Sequence, residues 1–450
     1  LTQPSNFRLN GWCSCAIRTL SKGIFMKKIS AAFIAVAVAA SVAVLPSANA
    51  AEEVTIFGGF GGDQAKGFQA ELDAFGAANG IKITYTTLAS YDTDIRVKVK
   101  AGQAPNIGMW PQPGGLLEYS SVLEPIDTLK SVDLAGIKKT LVPGWAGLAT
   151  KGGKTYGLPV SANVKSLVWY NPANFKAAGL TVPKTDADMT KLTNTIKSKK
   201  LGYPWCIGIE SGGATGWAFT DWVEQYVLNY NGVDVYNQWI SGEVGFDDPR
   251  IVKAVDEVSR LLLADGQVNG GGAKAATTGF GDTAALFETG GKSKGQCFML
   301  RQGSFITDFF PEDIKAQVVA GDYTNANVFT LPAPEGGQLG VIGGGDLAGA
   351  FNLDADTVEV LKFILSDKIG TIMAQRSSFT SPHATFDSSL YPNELTQKVG
   401  ETMANAAVFG FDGSDRMPSE VNAEFWAAGT EYVAGKISWA EAAERINSKY

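Results

Sequence analysis

Aromatic rings, amides and carboxylates gather at a few glycine-rich stretches of this sequence. Asp63-Gln64 follows Gly58-Gly59-Phe60-Gly61-Gly62, and Trp110-Pro111-Gln112 leads into Pro113-Gly114-Gly115. Glu210-Ser211-Gly212-Gly213-Ala214-Thr215-Gly216-Trp217 runs on to Asp221-Trp222, and Gly343-Gly344-Gly345-Asp346 completes the set. Rings stack on apolar C–H faces, carboxylates and amides pair with hydroxyls, and glycines let backbone N–H groups approach closely. Together these groups suit a sugar-like solute. Each also has a plainer role open to it. A tryptophan can be core, Asp63 can cap a helix, Glu210 can be a solvated loop acid, and Asp346 can be a turn residue.

Other chemistries are excluded or weak. The single histidine, His383, rules out a multi-histidine metal site and leaves one residue for any histidine-based triad. Gly58 to Gly62 fails the dinucleotide fingerprint because Gln64 stands at its third glycine. Gly208-Ile209-Glu210-Ser211-Gly212 places Glu210 where a nucleophile elbow needs serine. Asp412 and Asp415 do not complete a calcium loop. The 45 acids leave a carboxylate pair for glycoside hydrolysis open, though nothing singles one out. The first 50 residues hold five basic groups and no acid, so the remaining 400 carry 33 basic and 45 acidic groups, a formal −12. That balance argues against nucleic acid or an anionic membrane as partner.

The elements that must position these residues are legible as alternating stretches. Val54–Phe57 reads as a strand, Phe68, Leu72 and Phe75 as a helix stripe ended at Asn79-Gly80, and Ile81–Thr87 as a second strand. Ser90–Ala101 reads as a helix and Asn106–Trp110 as a third strand, the order of a parallel α/β layer. Lys151-Gly152-Gly153-Lys154 reads as a hairpin, and a second mixed α/β region runs from about Asp186 to Ile306. Helices fill the last hundred residues, with Ser438 and Glu441 forming a capping box. In open α/β sheets ligands bind at the carboxyl ends of strands, where the loops named above fall.

Met26-Lys27-Lys28, the apolar run Ile29–Val44 and the exit Ala48-Asn49-Ala50 form the three-part pattern of a secretory leader at 26–50. The run is shorter than the roughly 20 residues that span a bilayer. Residues 1–25 read as upstream translation. No lipid-attachment cysteine sits at the cleavage point, so the product is expected free in the periplasm or at the outer face of the cytoplasmic membrane. Export leaves Cys206 and Cys297, which an oxidising compartment favours as one disulfide over two separate buried thiols.

Longer runs carry a resemblance. Lys154-Thr155-Tyr156-Gly157-Leu158-Pro159-Val160, then Trp169-Tyr170-Asn171 with Phe175, then Gly179-Leu180-Thr181-Val182-Pro183-Lys184-Thr185 resembles the most characteristic stretch of the family 1 extracellular solute-binding proteins of ABC sugar importers. Phe425-Trp426 with Tyr432 to Ser438 resembles the closing helices of these maltose-binding-protein-like chains. Pro204 to Trp217, Thr220-Asp221-Trp222, Cys297 and Arg301 to Phe305 are similar to the α-glucoside-binding branch, although Ala218 stands where that branch commonly has proline. The resemblance runs from Glu53 to the C-terminus.

It implies an α/β, two-lobed periplasmic-binding-protein fold (type II-like) with a ligand cleft between lobes joined by crossing hinge segments. One lobe is expected at 51–160 plus 345–395, the other at 161–344 plus 396–450. It also implies a non-enzymatic monomer without cofactor or metal, holding an α-glucoside of maltose, sucrose or trehalose type for the permease subunits. Trp110 and Gln112 would meet sugar from the first lobe, Asn163 after the first crossing, and Glu210, Gly213, Trp217 and Asp221 from the second lobe. Gly344, Gly345 and Asp346 would follow the return crossing. Asp63, Gln64 and Trp222 join them on the reading of residue types alone. A secreted carbohydrate-cleaving enzyme, or a receptor for a polyol or polyamine, are the rival expectations.

Overall fold

The computed structural model describes residues 53–287, 297–376, 378–404, 406 and 408–450. The expected leader at 26–50 and the segment 1–25 lie outside them. Among the described residues no helix is long and apolar enough to cross a membrane.

The first sheet grows from β1 (Val54–Gly58), β2 (Ile83–Thr87) and β3 (Ile107–Trp110), which pair in parallel with β1 in the middle. Helices Gly62–Asn79 and Tyr91–Lys100 connect them, as the apolar spacing requires. β4 (Ala149–Lys151) and β5 (Lys154–Pro159) form the expected hairpin, turned by Gly152 and Gly153 at φ 57° and 77°. The parallel reading holds only for half of this sheet. β12 (Leu347–Ala350) comes back from far along the chain to lie antiparallel between β3 and β5, giving the order β2-β1-β3-β12-β5-β4.

A second sheet has the order β10-β7-β9-β8, from β7 (Leu167–Tyr170), β8 (Tyr203–Trp205), β9 (Cys297–Arg301) and β10 (Asn327–Thr330). The Cys206–Cys297 disulfide ties the end of β8 to the start of β9, with Cα atoms 5.2 Å apart. Helices Trp217–Ile240, Pro249–Leu262, Ser419–Val433 and Trp439–Asn447 pack in this lobe around Trp205, Phe219, Trp222, Trp239, Phe246 and Phe425. The first lobe has its own core, with Phe68, Ile95, Trp110 and Trp145 fully enclosed.

Between the two lies a short third sheet of β6 (Asn163–Val164), β11 (Val341–Gly344) and β13 (Phe409–Phe411), ordered β13-β11-β6. β6 falls between β5 and β7 in the chain and β11 between β10 and β12. β13 falls between the helix Ala355–Ile364, packed on β1 and β12, and the helix Ser419–Val433, packed on Trp217–Ile240. The chain therefore crosses from lobe to lobe three times through one small sheet. The three crossing strands pair with one another, so the link between the lobes is a small sheet and not a loose tether.

Candidate functional site

Two contiguous cavities open where the lobes face each other. The outer one encloses about 590 Å³ and the inner one, next to the crossing sheet, about 220 Å³. Pro111, Gln112 and Ala214 border both. Gln112 precedes the helix Pro113–Glu118 and leaves its Oε1 buried without a partner among the described residues. Asn163, on β6, leaves its Oδ1 in the same state at the inner cavity. Unmatched buried acceptors cost free energy in the empty protein and regain it when a ligand hydroxyl arrives.

Trp217 opens the long second-lobe helix and lies half-buried on the inner cavity. Phe280 meets its ring edge-on with centroids 5.1 Å apart, and Phe305 leans on it at 5.8 Å. Behind it the Lys165 ammonium sits 5.1 Å over the ring. Asp346 reaches the inner cavity from the link between β11 and β12. Its Oδ2 accepts the Ser161 hydroxyl at 2.9 Å, while its backbone N–H donates to that hydroxyl at 3.1 Å. Burial pushes the Asp346 carboxyl up to about 6, with the Ser161 hydroxyl pulling the other way. Gly345 must be glycine there, since a Cβ would stand 2.1 Å from the Ser161 carbonyl oxygen.

Beneath this floor lies a buried charge cluster. Lys165 donates to Asp221 Oδ1 at 3.0 Å and to Asp412 Oδ2, and all three side chains are almost wholly enclosed. Asp412 also accepts the Ser414 hydroxyl and the Asp415 N–H, each at 3.0 Å. Burial works against its charge, but Lys165 and these donors hold its pKa below the usual carboxylate value. Asp221 has fewer donors, so burial wins and its pKa rises. Glu224, whose carboxylate accepts the Gly413 N–H at 2.6 Å, is also pushed up by burial, and the Asp412 charge adds to the effect. Asp221, Glu224 and Asp412 bring oxygens within 4.8 Å of one another, close enough to hold a cation. The Lys165 ammonium supplies that positive charge from the chain itself.

The structure gathers some of the sequence candidates and scatters others. Gln112, Asn163, Trp217, Gly344, Gly345 and Asp346 border the inner cavity, and Gly213 borders the outer one. Asp63 does not cap its helix; it pairs with Lys66 at 2.9 Å on the surface, and neither it nor Gln64 borders either of these two cavities. The Glu210 carboxylate turns back to accept the Gly212 N–H at 2.9 Å. Asp221 is held by Lys165 below the floor. Trp110 is 0 % exposed among Tyr91, Tyr119 and Phe351, and Trp222 is 2 % exposed with Trp205 edge-on at 4.9 Å. Both are core side chains, a correction with a simple cause: β3 is buried on both faces, and Trp222 lies in the stretch Ala218–Asn229 of its helix, which is buried all round.

The sequence reading missed Asn422 and Trp426 of the outer cavity, and Lys165, Phe305 and Asp415 of the inner one. A signal existed for the first two. Asn422 and Trp426 stand four apart on one helix beside the apolar stripe of Val421 and Phe425, so a polar atom was due to be buried there. Trp222→Ala is expected to lower the unfolding free energy by about 3–5 kcal/mol in urea titration, as a core truncation does. Trp217→Ala, half-buried at the cavity, should cost clearly less; equal losses would make both structural.

Comparison with known proteins agrees with this architecture. Residues 61–350 match the family described as bacterial extracellular solute-binding protein. The chain is 33% identical over 395 residues to the osmoprotective compounds-binding protein GgtB of Synechocystis sp., covering 85% of this chain and 89% of that one. It is 34% identical over 400 residues to the alpha-glucosides-binding periplasmic protein AglE of Rhizobium meliloti, covering 86% and 84%. A solved chitin oligosaccharide binding protein superposes with a TM-score of 0.70 at 19% identity, over 88% of this chain and 97% of that one, and so shares the fold. The chain belongs to the bacterial extracellular solute-binding protein family, and by that membership it is a substrate-binding component of ABC sugar import.

Proposed function

We propose that this protein captures an α-glucoside or small gluco-oligosaccharide, of maltose, sucrose or trehalose type, outside the cytoplasmic membrane and delivers it as a monomer to the permease subunits of its importer. The observation that carries the reading is the pairing, in one cleft, of Trp217 and Trp426 with acceptors that lack partners among the described residues, Gln112 Oε1, Asn163 Oδ1 and Asn422 Oδ1. Rings offer the flat apolar contact and the acceptors the hydroxyl contacts that a sugar needs. The similarity to AglE supports the α-glucoside choice. In this reading Gln112, Asn163, Gly213, Trp217 and Gly344 to Asp346 touch the ligand. In this reading the lobes divide near 160/161 and 344/345, at the first two crossing strands, and the third crossing falls at β13, later than the expected 395/396. Ligand contacts made with both lobes only when closed bias the hinge, and the closed form docks on the permease.

The similarity to GgtB supports a second reading, a small osmoprotective solute in the same cleft. A thermal-shift panel separates the two. A true ligand at 100 times its dissociation constant adds about 2.7 kcal/mol of stability, so maltose, sucrose or trehalose should raise the melting temperature. Trp217→Ala should weaken that ligand roughly tenfold, the loss of about 1.4 kcal/mol of ring contact. Silence across the glucosides with a response to a polyol or another compatible solute would replace the first reading by the second.

A further inference from the structure

The sugar-receptor reading leaves open what its inner cavity admits, and the charged groups there bear on it. Asp415 borders that cavity and is 8 % exposed. Its backbone N–H donates to Asp412, but among the described residues its carboxyl group makes no hydrogen bond and no ion pair. Asp346, on the same cavity, takes a single side-chain hydrogen bond, from Ser161. Lys165 is the cation among the described residues bordering this cavity, and its three N–H donors are committed to Asp221, Asp412 and the face of Trp217.

We propose, building on that reading, that Asp415 is a ligand-contacting residue and that with Asp346 it makes the inner cavity selective for an uncharged, hydroxyl-bearing solute and closed to an anionic one such as a sugar phosphate or sugar acid. An anion entering here loses its water beside a carboxylate and finds no free cation to replace it. A hydroxyl fares differently. Burial, helped by the Asp412 charge, keeps the Asp415 proton on well above the usual carboxylate range, so the group offers one O–H donor and one acceptor. A ligand hydroxyl offers the matching acceptor and donor. Asp346, ionised for the most part at neutral pH, accepts from a second hydroxyl.

The test is calorimetric titration of the full mature chain with maltose and maltobionate, and with trehalose and trehalose 6-phosphate. The neutral member of a pair should bind and the anionic one should be at least roughly 100-fold weaker, since a like charge costs several kcal/mol. Asp415→Ala should weaken the neutral sugar roughly tenfold or more, and Asp415→Asn, which keeps a donor and an acceptor, should stay within about threefold. Asp346→Asn should narrow the gap between neutral and anionic sugar. Circular dichroism and melting temperature establish that each variant is folded. Unchanged affinity in folded Asp415→Ala, or equal binding of both pair members, overturns the inference. If the wild type ignores both sugars but binds sorbitol over gluconate, the glucoside reading fails and the inference stands. Preference for gluconate, or no response to any of these solutes, overturns the inference.

Discussion

Lys165→Met is expected to lower the unfolding free energy by about 3–5 kcal/mol at pH 7, more than its partial contact with the cavity suggests. Methionine keeps most of the aliphatic stem, so little packing is lost. What is lost is the cation that ion-pairs with both Asp221 and Asp412 in the interior. Removing one partner of a buried pair strands the other, which is why the loss exceeds the net worth of the pair. The signature is its pH dependence. In the wild type the folded pKa of Asp412 is lowered and that of Lys165 is raised, burial opposing the charge in each case and the partners overcoming it. Asp412 therefore contributes stability above the unfolded carboxylate value of about 4, lost as pH falls through its lower folded value. Lys165 contributes below the unfolded value of about 10.4, lost as pH rises through its higher folded value. The pair is at full strength between these limits. In the variant both carboxyls must take up protons to stay buried, so the destabilisation should shrink as pH falls from 9 to 5. Urea titrations at pH 5, 7 and 9 measure this. A loss that is the same at all three would mean that Lys165 acts through packing alone. Converting Asp221 and Asp412 to asparagine in the same chain should recover much of the stability, because neither carboxylate is then left without its ammonium partner.

That cluster also marks where the sequence stops being readable. Lys165 meets partners 56 and 247 residues away, a distance over which no spacing rule operates. Features made by near neighbours were legible. The Gly152-Gly153 hairpin, the apolar stripe of Gly62–Asn79 and the Ser438–Glu441 capping box all form as their local patterns require. The crossing sheet was not, because strands of two to four residues carry no measurable alternation. β12 fails for the same reason that Lys165 does: its neighbours β3 and β5 are far off in the chain. Trp110 and Trp217 illustrate the limit for the site. Both follow or precede a glycine-rich loop, and both looked exposed to a ligand from their neighbours in sequence. The fourth residue of a strand covered on both faces is enclosed whichever way the pleat turns, while the first residue of a helix stands at the lobe edge. Residue type told what the cleft would be made of, and tertiary placement chose which copies of each type serve.

Breaking the Cys206–Cys297 bridge should reduce stability by about 4–5 kcal/mol without opening the second lobe. The two cysteines are 91 residues apart, and closing a loop of that length removes about this much conformational freedom from the unfolded chain in the entropy model. The folded state needs no bridge to bring them together. β8 and β9 already pair there, with Tyr203 opposite Cys297, Trp205 opposite Met299 and the Cys206 N–H bonded to the Met299 carbonyl at 2.7 Å. The bridge therefore acts on the unfolded ensemble, and a Cys206→Ser/Cys297→Ser chain should fold to the same structure and keep its affinity for ligand. Fluorescence reports the change, since Trp205 is the neighbour of Cys206 and is buried against Trp222. Urea titration of oxidised and doubly substituted chains should show a lower midpoint and a steeper slope for the latter, because an unbridged chain exposes more surface when it unfolds. A midpoint shift with loss of ligand binding would instead place the bridge in the native architecture of the site. Coincident transitions, together with thiol labelling of both cysteines in unreduced native protein, would mean that no bridge forms in the native chain.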